Sequence, residues 1–506
     1  MRTPLIALLF LFASQLQSQT HGVGPDWGLE VALPLADTSA SQRGVLFNNM
    51  AVSSGGRIFI STAEINAVTG NFLGHYLTWS DDDGLNWAAP VPIAGMEKVI
   101  GASGPKLAMD PDDNLYVLFE AKAPSGLFLT KYSSADLSIL IDTVRVGHKV
   151  VHNSWATHLT CDAQGTLHAV WHEGDPNSGK TSEVYYSHST DGGQSWSPQV
   201  MLSDDDGRSS AFPRAQMEAA NGDLIAIAWR DSISPIFRWN VLMAVSEDGG
   251  QTWSAPFPVV ASPDMNSDPD VVIDDQNRIH LFFHRYPVGN MFDGALVGYG
   301  WSDDAGNTWQ PANWMQLSEP GIRSHLVEGN RYDPVNDILW SVWKDERDVS
   351  SGGGPDIVVS YSTDRGNTWS EPEFATEWGS QAIGFKAGAL LPNGGLALNY
   401  EVAGADGKLR VYFRKRNLSL TPVYEEENQL NIALWPQPAN GSIFLKNSGD
   451  DTVMMVITDM LGRQVGEVTA APGLNEIDVS GLPAGQYLLY SIDNALPYIE
   501  KLIITR

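Results

Sequence analysis

Ser302-Asp303-Asp304-Ala305-Gly306-Asn307-Thr308-Trp309 and Ser362-Thr363-Asp364-Arg365-Gly366-Asn367-Thr368-Trp369 are two copies of one phrase, Ser-x-Asp-x-Gly-x-Thr-Trp. With small departures it recurs at Ser80/Asp82/Gly84/Trp87, Ser189/Asp191/Gly193/Trp196 and Ser246/Asp248/Gly250/Trp253. Its chemistry suits a tight hairpin. Ser and Asp hydrogen-bond the backbone of their own turn, Gly accepts a positive φ, and Trp supplies a large apolar anchor. Five copies at related spacing mark a repeat architecture.

A second repeat lies inside the first. Apolar strands that follow a turn recur with Ile58, Leu115, Leu167, Leu224, Ile279, Ile338 and Leu396 in equivalent places, 52 to 59 residues apart. Four short strands in that length is the size of one propeller blade. The gap between Trp87 and Trp196 is about twice the period, and the degenerate Ser134-Ala135-Asp136-Leu137-Ser138 sits where a turn phrase is missing. The seventh unit ends at its third strand, Leu409–Asn417. Its missing fourth strand is expected from the other end of the chain, where residues 29–36 read like the segments that follow the turn phrases. Such pairing removes two exposed sheet edges. The expectation is an all-β chain with a seven-bladed β-propeller over 25–417, six blades being the alternative, and a small β-sandwich after it.

The repeated phrase resembles the Asp box of sialidases and other bacterial-neuraminidase-repeat proteins. Beyond a polar stretch at 418–430, read as a linker, residues 431–506 carry a second resemblance. Leu434-Trp435-Pro436-Gln437-Pro438-Ala439-Asn440-Gly441, Asp459-Met460-Leu461-Gly462-Arg463, Asp478–Tyr487 and Lys501–Arg506 follow the type A C-terminal sorting domain of the type IX secretion system of Bacteroidota. That resemblance implies outer-membrane translocation, then release or surface attachment. Residues 1–19 fit an export signal: Arg2, the apolar run Leu5–Ala13, which is too short to span a bilayer, then a small and polar exit. No later segment is apolar enough to cross a membrane. The net charge of −29 argues against nucleic acid and anionic membrane surfaces. Cys161 stands alone, so no intrachain disulfide forms.

In a propeller the Asp boxes turn on one face and the chemistry gathers on the other, where second strands end and first strands begin. All five boxes are therefore read as structural. The opposite face carries His172, Glu173, Arg214, Arg230, Asp231, Arg285, Arg323, His325, Asp345 and Arg347 as ligand-binding candidates, with His284, Lys344 and Glu346 beside them. Arginines bind carboxylate or sulfate through paired hydrogen bonds, and acids orient sugar hydroxyls. The partner expected is an extracellular glycan or glycoprotein. What the sialidase resemblance implies is three arginines on a substrate carboxylate, an Asp acid/base and a Tyr nucleophile assisted by Glu. Arg214, Arg285 and Arg323 could form such a triad, Asp268 or Asp270 the acid, and Tyr400-Glu401 the nucleophile pair. The family's Phe-Arg-Ile-Pro motif is missing, Val45-Leu46-Phe47-Asn48-Asn49 standing in its neighbourhood. A polysaccharide lyase needs a cation on a uronate and a His or Tyr base, for which His172, His284, His325 and Arg323 are suitable. A purely structural or adhesive propeller is the third reading. No cofactor is expected. The acidic turns Asp110–Asn114 and Asp204–Gly207 hold the oxygen ligands Ca²⁺ takes, but also the residues of ordinary turns.

Overall fold

The computed structural model describes residues 23–505 apart from 45–47, 94–103, 123–124, 148–156, 174–180, 217–222, 235–237, 261–263, 288–294, 326–328, 348, 350–353, 378–381, 405, 419–431, 436–438, 448–451, 460–462 and 492–498. The expected export signal, and the expected linker but for Leu418, lie outside the described residues. The chain divides into two compact units, Met1–Ser419 and Leu420–Arg506. No α-helix occurs among the described residues.

The first unit holds seven antiparallel sheets of four or five strands. In the second to fifth the strands lie side by side in chain order, while in the first and sixth the two earliest strands both pair with the third. The fifth, for example, runs Met265–Ile273, Ile279–Tyr286, Leu296–Ser302, Gln310–Gln316. One strand from each sheet touches its counterparts on either side. These strands are Met50–Val52, Lys106–Met109, His158–Cys161, Ser210–Gln216, Met265–Ile273, Arg331–Asp333 and Ala382–Leu390, and the last returns to the first. Apolar residues from consecutive sheets share cores, such as Val272, Phe282 and Tyr299 with Tyr332, Leu339 and Trp343.

Each copy of the repeated phrase is wired alike, with Asn86, Ser195 or a threonine as the capped residue. In the sixth sheet Ser362 Oγ donates to Asp364 Oδ1 at 2.7 Å and accepts from the Gly366 amide at 2.8 Å. Asp364 then caps Thr368 through its amide and hydroxyl, at 2.8 and 2.7 Å. These donors hold the box carboxylates below the usual range, Asp248 at about 2, with the Thr252 hydroxyl the leading cause. The glycine has a second reason to be glycine. At Gly366 φ is +87°, and a Cβ would stand 1.6 Å from the Tyr299 hydroxyl of the preceding sheet. The same holds at Gly250 beneath Tyr186, Gly84 beneath Phe413, Gly193 beneath Leu129 and Gly306 beneath Phe257. Box tryptophans pack edge-on against the same rings, Trp369 on Tyr299 and Trp253 on Tyr186 at centroid distances of 4.9 and 4.7 Å.

In the second sheet Ser133 pairs with Asn114, and the degenerate phrase turns at Leu137, whose amide donates to the Ser133 carbonyl at 2.9 Å. Leu137 accepts φ +58° and packs into the core shared with Phe59 and Phe119. In the seventh sheet Val31 and Ala32 pair with Phe413 and Tyr412 and supply the outer strand. There Arg416, opposite Leu396, takes the place of the box serine. It is 1% exposed, hydrogen-bonds Glu373 and Asp26, and lies over the rings of Trp340 and Tyr361. Trp27 Nε1 also donates to Glu373.

The second unit is a two-sheet sandwich, of three and four strands, closed over Ile443, Leu445, Met455, Ile457, Leu489 and Leu502.

Two stability outcomes follow. Gly366→Ala should cost at least about 3 kcal/mol, about 1 from positive φ and the rest from overpacking Tyr299. Gly321→Ala, also at positive φ but facing open space, should cost only about 1 kcal/mol. Equal melting-temperature losses would contradict the close approach. Arg416→Met should cost about 3–5 kcal/mol by stranding Glu373 and Asp26, read in the same melts. A loss under about 1 kcal/mol would show that the closing strand does not depend on it.

Candidate functional site

The boxes hang from one end of each sheet; the candidate site lies at the other. Box residue Ser302 pairs with Ile279 at the start of Ile279–Tyr286, whereas His284 and Tyr286 stand at that strand's far end. Period-two alternation puts both on one face and Arg285 on the other. Across the neighbouring strand a register shift between Ser267 and Asp270 turns Asp268 outward at φ +47°.

These residues join a chain of charged groups spanning the fourth to sixth sheets. Arg230 Nη1 donates to Asp268 Oδ1 at 3.2 Å, and its guanidinium lies 4.4 Å from the Trp239 ring centre. Asp268 Oδ2 lies 3.4 Å from His284 Nδ1 and accepts from Ser267 Oγ. The His284 and His325 rings stand edge to face with centroids 6.3 Å apart. His325 Nε2 is 2.7 Å from Glu346 Oε1, and Arg323 Nη1 donates to Glu346 Oε2 at 2.8 Å. Lys344 Nζ lies 3.6 Å from the same carboxylate. Tyr286 is felt electrostatically by Asp268, Arg323, Arg230 and Glu346 together, and burial pushes its hydroxyl up to about 12.

Burial, reinforced by His284 and Lys344, pushes His325 down to about 4 against the pull of Glu346. The hydrogen bond from His325, with Lys344 and Arg323, holds Glu346 down at about 2 despite its burial. At neutral pH the site therefore combines a neutral imidazole, a protonated phenol and two arginines neutralised on one side. Such a set can bind an anion, take a proton from carbon or oxygen, and return one.

Of the candidates read from sequence, Arg230, Asp268, Arg323 and His325 come together here, with His284, Lys344 and Glu346. Others serve the scaffold. Asp270 is buried and takes Asn330 Nδ2 at 2.6 Å, bridging the fifth and sixth sheets. Asp231 is buried on Ser210 Oγ, and Glu173 accepts from Trp171 Nε1. Arg285 is paired with Asp264, and Arg347 grips Asp345 and Glu319 over the Phe374 ring. Tyr400 and Glu401 are corrected as a nucleophile pair: being consecutive in a strand they face opposite ways. Tyr400 donates to Glu30, while Glu401 lies 3.5 Å from Arg43, its carboxyl pushed up to about 7 by burial. The Arg214 side chain lies outside the described residues, and His172 is half-buried at its strand end. Tyr286 and Trp239 were not picked out from sequence; the period-two step from His284 to Tyr286 was the available signal. In the acidic turns, Asp110 is consumed by Asn114 and Tyr116, and Asp113 by Ser54. Burial pushes the Cys161 thiol up to about 12.

Residues 433–505 match the family described as secretion system C-terminal sorting domain. The second unit is thus a sorting domain, and the protein is exported, to be secreted or attached to the outer surface. No curated protein matches the chain in sequence. Among solved structures it is similar to an ulvan lyase, described as a new family of polysaccharide lyase, at 12% identity and TM-score 0.50, covering 79% of this chain and 98% of that one. It is also similar to a Hadza microbial sialidase (14%, TM-score 0.42, 75% and 66% covered) and to the Penicillium chrysogenum alpha-L-arabinanase (14%, 0.42, 77% and 98%). Likeness at this identity is likeness of fold.

Acid should unfold the protein in two stages at this site. His325 titrates at about 4 folded against about 6.5 unfolded, so stability falls as pH drops from about 6.5 to 4. Glu346, held at about 2, adds a further loss as pH drops below about 4.5. Melting temperature against pH should therefore fall more shallowly between about 6.5 and 4.5 in His325→Gln than in the wild type; superimposable curves would deny the burial of a neutral ring.

Proposed function

We propose that residues 25–417 form a seven-bladed β-propeller that engages acidic extracellular glycans at the mouth formed by its fourth to sixth sheets. Export runs through the signal at 1–19 and the sorting domain at 431–506. One observation carries the reading: the continuous chain Arg230–Asp268–His284–His325–Glu346–Arg323 around Tyr286. Two arginines suit a sugar carboxylate or sulfate, and the neutral ring of His325 suits proton transfer.

The chemistry this set fits best is elimination on a uronate. An arginine neutralises the carboxylate, a histidine removes the proton from the carbon bearing it, and the bond to the leaving sugar oxygen breaks. That oxygen takes a proton from Tyr286, leaving an unsaturated uronate, with no other reactant required. The similarity of fold to a polysaccharide lyase supports this order of preference over sialidase-type hydrolysis. The separated Tyr400 and Glu401 speak against the latter.

A panel of uronate-containing and sialylated polysaccharides tests this, read by ultraviolet absorbance of the unsaturated product and by free sialic acid. Unsaturated ends are expected from a uronate substrate, with a loss of about 10²-fold or more in Arg323→Ala or Tyr286→Phe. Binding without turnover would leave a glycan-binding module, release of sialic acid would replace the elimination reading by hydrolysis, and silence on every glycan would defeat the proposal.

A further inference from the structure

We propose that Glu346 is a positioning residue that holds the proton of His325 on Nε2 and leaves Nδ1 as the free base of the mouth. Its use in chemistry rests on the acidic-glycan reading above; its geometry does not. An ionised carboxylate only accepts hydrogen bonds, so a neutral His325 ring facing Glu346 Oε1 at 2.7 Å must carry its hydrogen on Nε2. The other oxygen of Glu346 takes Arg323 Nη1 at 2.8 Å. Arg323 and His325 are two residues apart, flanking Ser324 at a strand start, and so share a face. One carboxylate thus fixes an anion clamp and a base side by side. Lys344 at 3.6 Å adds positive charge that keeps Glu346 ionised.

The neighbouring ring is held the opposite way round. Asp268 approaches His284 through Nδ1, whereas Glu346 approaches His325 through Nε2. The nearest acids thus approach the two adjacent rings at unlike nitrogens.

The test reads the ring directly, with no glycan present. Full-length protein labelled with nitrogen-15 in histidine rings is compared with His325→Gln to assign the signal. A pinned Nε2–H form is expected at neutral pH, becoming a tautomer mixture in Glu346→Ala and returning in Glu346→Asp. Should the Ala variant fail to fold, Glu346→Met, of similar length and with no oxygen to accept, reads the same loss. An Nδ1–H ring in the wild type, or an unaltered signal in the Ala or Met variant that folds, overturns the proposal. A pinned ring together with an inactive glycan panel would sink the proposed function and leave this inference standing. Where a glycan is turned over, Glu346→Met should lower kcat about 10²-fold with little change in KM; an unchanged kcat overturns the positioning role.

Discussion

The scaffold depends on a contact that only glycine permits. At each intact box the turn is pressed against a side chain of the preceding sheet, usually an aromatic ring, at a distance no Cβ would tolerate. Positive φ alone would favour glycine, Asn or Asp. The close approach excludes all but glycine. Serine and aspartate organise the turn so that its glycine arrives at that ring, and tryptophan covers the ring's edge. Two of the rings are themselves held. Tyr186 and Tyr299 meet His168 and His280 at 2.7 and 2.9 Å, with Asp162 and Asp274 behind. A buried hydroxyl that finds a partner costs little to bury. The box is therefore a joint between sheets as much as a turn within one.

Where the joint is missing, other chemistry does its task. Leu137 accepts a left-handed backbone and fills the apolar seat with its own side chain. At the seventh sheet the joint is ionic. Arg416 stacks on Trp340 and Tyr361 of the sixth sheet while its guanidinium ties the N-terminal segment through Asp26. A buried arginine needs its charge answered, and the answers come from two distant parts of the chain, Glu373 and Asp26. The cost of separating Arg416 from Glu373 and Asp26 is what keeps residues 26–32 in place.

Much of the scaffold was legible in the sequence because its turns are made by residue types with few other uses. The phrase starting at Ser302 announces a hairpin, and the strand spacing announces a repeat. The outer strand contributed by Val31 and Ala32 could be inferred because the last unit stopped one strand short. Site residues were legible as a population and not as a constellation. Strand ends showed where charge would collect, but Asp270 and Asp268 stand two residues apart, and a shift in pairing sends one into the scaffold and the other into the mouth. Tyr400 and Glu401 show the converse, as neighbours in sequence that the strand separates.

The mouth also resolves a contradiction in the charge. A chain of net charge −29 should repel an acidic polysaccharide, yet the described cluster sets Arg230, Arg323 and Lys344 against Asp268 and Glu346. That leaves one positive charge in excess among these five groups, with His325 neutral beside them. Distant surface carboxylates are screened within about 8 Å at physiological ionic strength, whereas half-buried groups act in a less polar medium and keep their strength. A bound carboxylate would therefore feel the local excess more than the global deficit. The burial that keeps His325 neutral also keeps it a base, and its neutrality stops the cluster becoming so cationic that Glu346 is wholly spent on repulsion among its neighbours. Anion binding and proton transfer are compatible here because two carboxylates hold the arginines and orient the rings at once.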